Sequence, residues 1–297
     1  MNKLRQFRQR IAAVWGVRES DVPELLTGAR ASTVRVNRLH PDPPEPAGVA
    51  VPWCADAYYC TDYSGAVPLA DEGKVYLQNA SSLIPVVALD PRPGEVILDV
   101  AAAPGGKAFH LAARVGNDCE LWLNDAVRPR AEKLRALAEV YRVRYEKLTT
   151  FPAQYLDKEL PAESFDRILL DVQCSGEGRI DLRRSDALRY WSVERIEKYK
   201  FLQTRTLDAA YRLLRPGGTM LYSTCTISPE ENEYPVSQVL RRHADLDVVP
   251  LGFTEPNFRP GLAAWRDHRF DPRLARAVRV LPTDAFEGFF AAKLIKI

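Results

Sequence analysis

Two cysteines, Cys174 and Cys225, lie in polar loops that each follow a run of residues typical of a buried strand. The first loop reads Asp-Val-Gln-Cys-Ser-Gly-Glu-Gly over residues 171–178, and the second reads Ser-Thr-Cys-Thr-Ile-Ser-Pro-Glu-Glu over 223–231. If the two strands are neighbours in one parallel sheet, both thiols emerge at its carboxyl edge, where open α/β sheets bind ligands. One sulfur could then attack a substrate while the other assists its release.

A single cysteine is more often a small buried hydrophobe than a reactive group, and we interpret Cys54, Cys60 and Cys119 in that way. The Asp, Ser, Thr, Gly and Glu residues around Cys174 and Cys225 argue against an apolar environment there. The five cysteines have no C-x-x-C spacing and the four histidines are scattered. We therefore expect no metal site, no disulfide framework and a reducing, cytoplasmic location.

A glycine-rich turn, Ala-Ala-Ala-Pro-Gly-Gly-Lys over residues 101–107, follows the first predicted core strand and precedes a helix. Gly105 and Gly106 would let a ligand approach the backbone closely, and the helix N-terminus offers N–H groups to an anion such as a carboxylate. The spacing is neither GxGxxG nor Walker A, which disfavours a dinucleotide or a triphosphate. Asp125, after the second strand, stands where ribose hydroxyls are bound, although it could equally cap the next helix. A nucleoside with an amino-acid end, such as S-adenosylmethionine, would fit both features.

The elements that must position these loops alternate between strands and helices from about residue 71 onward, which predicts a parallel α/β sheet flanked by helices. Helices are predicted over 131–140 and 195–214, the second ending at Arg-Pro-Gly-Gly. The predicted strands are 95–101, 120–124, 145–148, 166–171, 219–224, 244–250 and 289–295.

Residues 1–70 have a different composition and predict a small α+β unit, with a helix near 3–15 and a strand at 32–37. Residues 41–46 are proline-rich and predict an extended loop. The chain of 297 residues is thus expected to form a small N-terminal domain, 1–70, and a catalytic domain, 71–297. The basic start lacks the apolar stretch of a secretory signal, and no apolar run reaches the roughly 20 residues of a membrane span.

Basic residues are clustered although the formal net charge is only +2. Residues 1–40 contain eight Lys or Arg against three acids, and residues 178–215 contain ten against five. A positive face on a nearly neutral protein fits contact with a polyanion. Solvated helix faces with i,i+4 ion pairs would give the same pattern, so charge alone leaves both interpretations open.

Four ordered segments resemble the NOL1/NOP2/Sun family of RNA cytosine-C5 methyltransferases. Weaker matches precede them at 34–37 and 77–82. The resemblance implies a Rossmann-like class I methyltransferase fold, S-adenosylmethionine as the methyl donor, and ribosomal or transfer RNA as substrate, with ribosomal RNA favoured. Independently of the resemblance, we expect a monomer with no metal and no membrane association. The four segments are 99–107, 171–178, 222–233 and 287–294.

The resemblance also implies a role for each matching residue. Cys225 would be the nucleophile that adds to cytosine C6, and Cys174 would help release the product. Asp171 would bond the flipped base, and Lys107 would lie beside base and donor. The donor pocket implied in this way comprises Ala101, Ala102, Ala103, Pro104, Gly105, Gly106, Lys107, Asp125, Arg130 and Asp171.

Two departures from the family pattern motivate a rival hypothesis. Gln173 stands where the family usually has proline. Thr149–Pro152 contains no acidic residue, although many family members have one there near the adenine of the methyl donor. An RNA-binding assembly factor that has lost donor binding would tolerate both changes. A DNA cytosine methyltransferase would attack through the Cys174 loop and leave Cys225 without a function, so the sequence favours RNA.

Overall fold

The computed structural model describes residues 3–26, 30–45 and 48–297 of the chain. The start of the predicted proline-rich loop, 41–45, has no helix or strand, and Pro46 lies outside the described residues. Within the described ranges, no helix is both long enough and apolar enough to cross a membrane.

The N-terminal part forms a four-stranded antiparallel sheet in the order β2-β3-β1-β4. The division of the chain at residue 70 stays a prediction; the sheet takes its fourth strand from beyond that residue. The elements here are α1 (Lys3–Trp15), α2 (Val22–Leu25), β1 (Ser32–Val36), β2 (Val49–Ala50), β3 (Ala57–Tyr59), α3 (Tyr63–Asp71) and β4 (Val75–Asn79).

The catalytic part is built on a nine-stranded sheet in which β9, β8, β5, β6 and β7 are parallel neighbours. This confirms the predicted parallel α/β core. The elements up to the last parallel strand are α4 (Ile84–Leu89), β5 (Glu95–Asp99), α5 (Gly106–Arg114), β6 (Cys119–Asn124), α6 (Arg128–Val140), β7 (Lys147–Thr149), β8 (Phe165–Asp171), α7 (Val193–Leu213) and β9 (Leu214–Thr224).

Four of the remaining strands, β10, β11, β14 and β15, extend the sheet in the antiparallel sense, which the sequence did not predict, and β12 and β13 form a separate two-stranded hairpin. The last strand pairs with β9 on one side and with both β14 and β10 on the other. Its connection to the preceding strand contains no helix, and a parallel pairing would need a crossover there. The elements are α8 (Glu233–Arg242), β10 (Leu246–Val249), β11 (Phe258–Pro260), β12 (Ala264–Trp265), β13 (His268–Arg269), β14 (Val278–Val280) and β15 (Phe289–Lys296).

Apolar side chains cover both faces of this sheet. Consecutive strand residues alternate between two clusters, since Ile97 and Leu169 face one side while Leu98 and Leu170 face the other. Helices α4, α5 and α6 pack on the first face, and α7 and α8 pack on the second. The carboxyl ends of the parallel strands are therefore held rigidly at one edge.

Helix α1 packs against the catalytic part. Phe7 is fully buried and meets the ring of Trp191 edge-on, with ring centroids 5.2 Å apart. The guanidinium of Arg10 forms a buried ion pair with Glu230 at 2.9 Å and also donates to the Ser228 hydroxyl. Glu230 belongs to the loop that follows β9, so the N-terminal helix is attached directly to the segment that carries Cys225.

Candidate active site

A cavity of about 540 Å³ opens at the carboxyl ends of β5, β8 and β9. We call it the thiol cavity, because both Cys174 and Cys225 line it. Its volume is within the roughly 300–1,000 Å³ of small-molecule sites. The predicted site residues that line it are Ala101, Ala102, Ala103, Pro104, Gly106, Lys107, Arg130, Asp171, Cys174 and Cys225.

The two thiols are adjacent because β8 and β9 are parallel neighbours, with Asp171 opposite Ser223. The sulfur atoms of Cys174 and Cys225 lie 3.4 Å apart. A hydrogen bond from Cys174 lowers the pKa of Cys225, while the same bond, together with burial, raises the pKa of Cys174 well above its ordinary value. Cys225 is therefore the sulfur that ionises first, and Cys174 retains its proton beside it.

Arg179 contributes a positive charge next to this pair. It closes the short helical turn Glu177–Arg179, lines the thiol cavity and has a largely exposed side chain. Its charge lowers the pKa of Cys225, and the Cys225 thiolate in turn raises the pKa of Arg179. The guanidinium also lies 3.6 Å from Glu287. Arg179 thus stabilises the thiolate form of the candidate nucleophile.

Lys107 and Asp171 form an ion pair on the opposite wall, with the ammonium 2.7 Å from the carboxylate. The hydroxyl of Ser223 donates to the other carboxylate oxygen at 2.8 Å. The Asp171 charge raises the pKa of Lys107, although burial opposes this effect more strongly than any other single influence. Behind the pair, burial raises the pKa of Asp99 to about 7. The wall presents one fixed carboxylate and one fixed ammonium to a ligand.

Buried acids hold the two cysteine loops together. Glu231 accepts hydrogen bonds from the Ser175 backbone at 2.9 Å and from Gln203 at 3.1 Å, and burial raises its pKa to about 8. Glu177 accepts from Trp191 and Ser228 at 2.7 and 2.8 Å. Each loop therefore supplies an acid that the other loop satisfies, which fixes both thiols.

Gly178 lies between the Cys225 loop and the loop before β15. Its N–H donates to the Cys225 carbonyl at 3.0 Å, and its own carbonyl accepts from Gly288 at 3.2 Å. A Cβ atom at Gly178 would stand 1.9 Å from the Gly288 carbonyl oxygen, so only glycine fits this contact.

Gly178→Ala is therefore expected to lower the free energy of unfolding by about 1–3 kcal/mol and to reduce methyl transfer, because backbone must move beside Cys225. Denaturant unfolding and a methyl-incorporation assay measure the two effects. Gly116→Ala is the matched control: its Cβ meets no atom within 4 Å, although its φ of +61° strains a side chain. A methyl-transfer rate equal in the two variants would contradict the role of the Gly178 contact.

Matches to known proteins are consistent with this geometry. Residues 86–295 match the family model described as 16S rRNA methyltransferase RsmB/F. The tRNA (cytosine(49)-C(5))-methyltransferase of Pyrococcus abyssi is 37% identical over 254 residues, which are 83% of this chain and 79% of that protein. The chain belongs to the RsmB/RsmF methyltransferase family. The predicted resemblance to RNA cytosine methyltransferases is thereby confirmed.

Ribosomal RNA small subunit methyltransferase F of Klebsiella pneumoniae is 37% identical over 256 residues, 83% of this chain. This RsmB/RsmF chain spans 51% of that relative's length. Among solved structures, a methyltransferase homolog from Pyrococcus horikoshii superposes with a TM-score of 0.83 at 28% identity, covering 100% of both chains. NSun6 from Pyrococcus horikoshii with SFG, at 20% identity, 98% coverage of this chain and 97% of its own, shares the fold with a TM-score of 0.79.

Two predicted donor residues of this family member do not line the thiol cavity. Gly105 has a φ of +117°, and a Cβ there would stand 2.3 Å from the Phe109 ring, so its glycine serves the turn and its packing. Asp125 is buried and accepts from the backbone N–H groups of Ala103 and Val127 at 3.2 and 3.1 Å. Arg130 pairs with Asp125 at 3.3 Å and donates to the Ala103 carbonyl. Gly105 and Asp125 therefore shape the turn 101–105 from behind, while Arg130 lines the cavity and is fixed by Asp125.

The departures from the family pattern have clear structural positions. Gln173 is exposed and lines the thiol cavity, and its carbonyl accepts from Gln203 at 2.9 Å. Phe151 lies in the segment that lacks the acid expected near the adenine. Its backbone N–H donates to the side-chain oxygen of the buried Asn124, and its carbonyl accepts from the Asn124 side-chain nitrogen, both at 3.0 Å. A buried side-chain amide thus contacts the backbone of each loop, Gln203 at Gln173 and Asn124 at Phe151.

Sequence reasoning assigns no role to five residues of the site, of which Arg179 lies just outside the segments that resemble the family and the others lie within them: Gln78, Asp99, Arg179, Glu231 and Glu287. The only sequence signal for these residues is that each is a polar residue close to a motif segment. Elsewhere in the described part of the chain, no three His, Cys, Asp or Glu side chains are grouped as a metal site would require.

Proposed function

We propose that this protein transfers a methyl group from S-adenosylmethionine to C5 of a cytosine in structured RNA. The observation that carries the proposal is the cysteine pair: two sulfurs 3.4 Å apart whose pKa values move in opposite directions, that of Cys225 downward and that of Cys174 upward. This asymmetry favours Cys225 as the nucleophile. An RNA cytosine methyltransferase would attack through Cys225, whereas the rival DNA methyltransferase hypothesis requires attack through the Cys174 loop.

The residues of the thiol cavity fit the cofactor. The first turn of the nine-residue helix α5 points backbone N–H groups toward the turn 101–105, a suitable place for a carboxylate. Arg130 and the backbone at Ala101–Ala103 would hold the remainder, and Asp125 would keep Arg130 and the Ala103 backbone in place. When bound, S-adenosylmethionine supplies a methyl group on a positively charged sulfur.

Cys225 and the Lys107–Asp171 pair would perform the first half of the reaction. Asp171 and Lys107 bond the flipped base and fix its ring over the thiol. The Cys225 thiolate forms a bond to C6, and the electron pair of the C5–C6 double bond shifts toward C5. C5 thereby becomes electron-rich enough to accept the methyl group.

Cys174 would act in the second half. The hydrogen bond and charge of Cys225 raise the pKa of Cys174, and both influences disappear once the Cys225 sulfur is bonded to carbon. Burial continues to raise the pKa of Cys174, but without those two influences the thiol can release its own proton to water and then take the proton from C5. The electron pair left at C5 re-forms the C5–C6 double bond, the bond from C6 to sulfur breaks, and Cys225 leaves as a thiolate.

The family description favours small-subunit ribosomal RNA as substrate, in agreement with the sequence-based expectation. Transfer RNA is the second candidate, because the chain covers 79% of the archaeal tRNA methyltransferase but 51% of the bacterial ribosomal one. Bisulfite sequencing of total RNA from cells with and without the gene tests both. Loss of one methylated cytosine in either RNA supports the proposal and names the substrate; unchanged methylation everywhere would contradict it.

The assembly-factor alternative predicts a different result in a simple binding experiment. Titration calorimetry of the purified protein with S-adenosylmethionine should give saturable binding at one site. Heat changes equal to those of dilution would mean that the protein does not bind S-adenosylmethionine. That result would support the assembly-factor alternative and would contradict methyl transfer through Cys225.

Arg179→Gln is expected to shift the pH dependence of methyl transfer. For the unmodified protein, kcat/KM rises with pH until the Cys225 thiolate is fully formed, at a pKa below its ordinary value. Removing the Arg179 charge raises that pKa, so the rising part moves to higher pH. Activity near neutral pH then falls by up to about tenfold, which corresponds to one pKa unit.

Arg183→Gln is the matched control, because Arg183 pairs with Asp181 at 2.7 Å and has no contact with the thiols. Its pH profile should retain the midpoint of the unmodified protein. If Arg179→Gln lowers kcat/KM equally at every pH, Arg179 binds RNA without activating Cys225.

A further inference from the structure

A second cavity of about 330 Å³ adjoins the thiol cavity. We call it the side cavity. Its floor and shared wall are formed by Gln78, Asn79, Arg179 and Glu287, which line both cavities. None of the predicted catalytic or donor residues lines the side cavity, so the reaction described above leaves it without a function. A ligand in the thiol cavity could continue directly into it.

Gln78 presents an unsatisfied amide at the boundary between the two cavities. Its backbone lies in β4 opposite Thr33, whose hydroxyl donates to the Gln78 carbonyl at 2.8 Å. Both the nitrogen and the oxygen of the side-chain amide are buried, and neither has a hydrogen-bond partner among the residues that the structure describes. A buried amide without partners is unfavourable, and such groups are typical of positions where a ligand provides them.

Tyr63 lines the outer part of the side cavity with a ring that is 58% exposed. It begins helix α3, whose cap is formed by the Asp62 carboxylate accepting from the Gly65 N–H at 3.0 Å. An exposed aromatic ring on a fixed helix end offers a surface on which an unpaired base can stack.

Arg30 supplies a positive charge that forms no direct ion pair within the described residues, although the charges of Glu287, Asp181 and Asp284 act on it from a greater distance. Its guanidinium donates to the carbonyls of Phe286 and Leu25 at 2.8 and 3.0 Å, and no carboxylate of that part of the chain lies within 4.0 Å of it. Two acids line the same cavity: Asp181 already accepts two bonds from Arg183 at 2.9 and 2.7 Å, and Glu287 lies 3.6 Å from Arg179. Arg30 is therefore oriented and available for a phosphate oxygen.

We propose that the side cavity binds the nucleotide directly adjacent to the target cytosine, and that it selects the base at that position. The base stacks on Tyr63, its edge pairs with the Gln78 amide once that side chain turns from its buried position into the side cavity, and its phosphate lies at Arg30. This proposal rests on the proposed function, since the neighbouring nucleotide enters the side cavity only when a cytosine occupies the thiol cavity.

The test uses short transcripts of the RNA segment that bisulfite sequencing identifies, with each of the four nucleotides at the two positions flanking the cytosine. For the unmodified protein, kcat/KM should vary by at least about tenfold among the bases at one flanking position. Gln78→Met retains the length of the side chain and removes its hydrogen-bonding groups. It should reduce that variation to within about twofold, whereas Gln9→Met on the exposed face of α1 should leave it unchanged.

Tyr63 provides an independent variant, because its exposed ring contributes little to the core. Tyr63→Ala should lower kcat/KM by about tenfold for all four bases, and Tyr63→Phe should restore it, since stacking needs only the ring. Tyr155→Ala, which removes another exposed ring outside both cavities, is the control. A 4-thiouridine at the flanking position should cross-link to the segment that contains Tyr63 or Gln78.

The two proposals fail in different ways. Methyl transfer at equal rates with all four bases at both positions, together with an unaltered Tyr63→Ala rate, would overturn the side-cavity assignment and leave the methyltransferase intact. Absence of methyl transfer from the unmodified protein to any cellular RNA would overturn the proposed function, and the side-cavity assignment with it.

Discussion

Replacing Cys225 with alanine is expected to lower methyl transfer at least about a thousandfold, because no other thiol can replace the one that adds to C6. Cys174 is close enough, and the variant removes the hydrogen bond to Cys225 that raises its pKa most, but burial continues to raise the pKa of the Cys174 thiol. Cys174 also remains on the loop that follows β8, and its sulfur lies 3.4 Å from the position of the Cys225 sulfur. Methyl incorporation into unmodified RNA, followed over hours, measures the loss.

Binding measurements separate this loss of chemistry from a loss of structure. Cys225→Ala should retain its affinity for S-adenosylmethionine and RNA, because the thiol contributes little area to the thiol cavity. Cys119→Ala is the control: Cys119 begins β6 at the amino edge of the sheet, opposite the site, and should retain full turnover. Rapid turnover by Cys225→Ala would show that the nucleophile has been wrongly assigned.

Cys174→Ala is expected to produce the opposite phenotype, a protein that remains covalently attached to its RNA. Cys225 can still add to C6, but the group that takes the C5 proton is missing, so release becomes slower than adduct formation. Denaturing gel electrophoresis should show a slowly migrating RNA–protein band that accumulates only with S-adenosylmethionine present, if the attachment follows methylation.

The same variant should respond to pH in a way that the structure specifies. The Cys174 hydrogen bond is the largest influence that lowers the pKa of Cys225, so its loss raises that pKa. Adduct formation by Cys174→Ala should therefore speed up from neutral to alkaline pH more steeply than turnover of the unmodified protein. The double variant Cys174→Ala, Cys225→Ala should give no band, and a band in that variant would place the attachment elsewhere.

The meeting of the two cysteine loops could be predicted from sequence, because apolar strands followed by polar loops indicate carboxyl ends of parallel strands. The register of β8 and β9 then brings Asp171 opposite Ser223 and the thiols together. The effect of Arg179 on the pKa of Cys225 could not be predicted from sequence. The two residues are distant along the chain and become neighbours only because β8 and β9 are adjacent in the sheet. Contacts between distant segments leave no periodic pattern in the sequence.

Gly105 and Asp125 illustrate a second limit. Their residue types suggested ligand contact, but each is used mainly inside the protein, Gly105 against Phe109 and Asp125 on the Ala103 backbone. Glycine and aspartate satisfy turns as readily as ligands, so residue type alone could not separate the two uses. The antiparallel strands β11 and β14 were missed because three residues each are too few to show alternation.

Strand β15 has a consequence for the order in which the protein forms during translation. It covers the outer edge of β9, and Gly288 just before it contacts Gly178. The ribosome releases Cys225 and both cysteine loops well before residues 288–296 are made. Until those residues emerge, β9 is an unpaired edge strand and the thiols lack one of the contacts that fix them. The two thiols therefore reach their final arrangement only after residues 288–296 have joined the sheet beside β9.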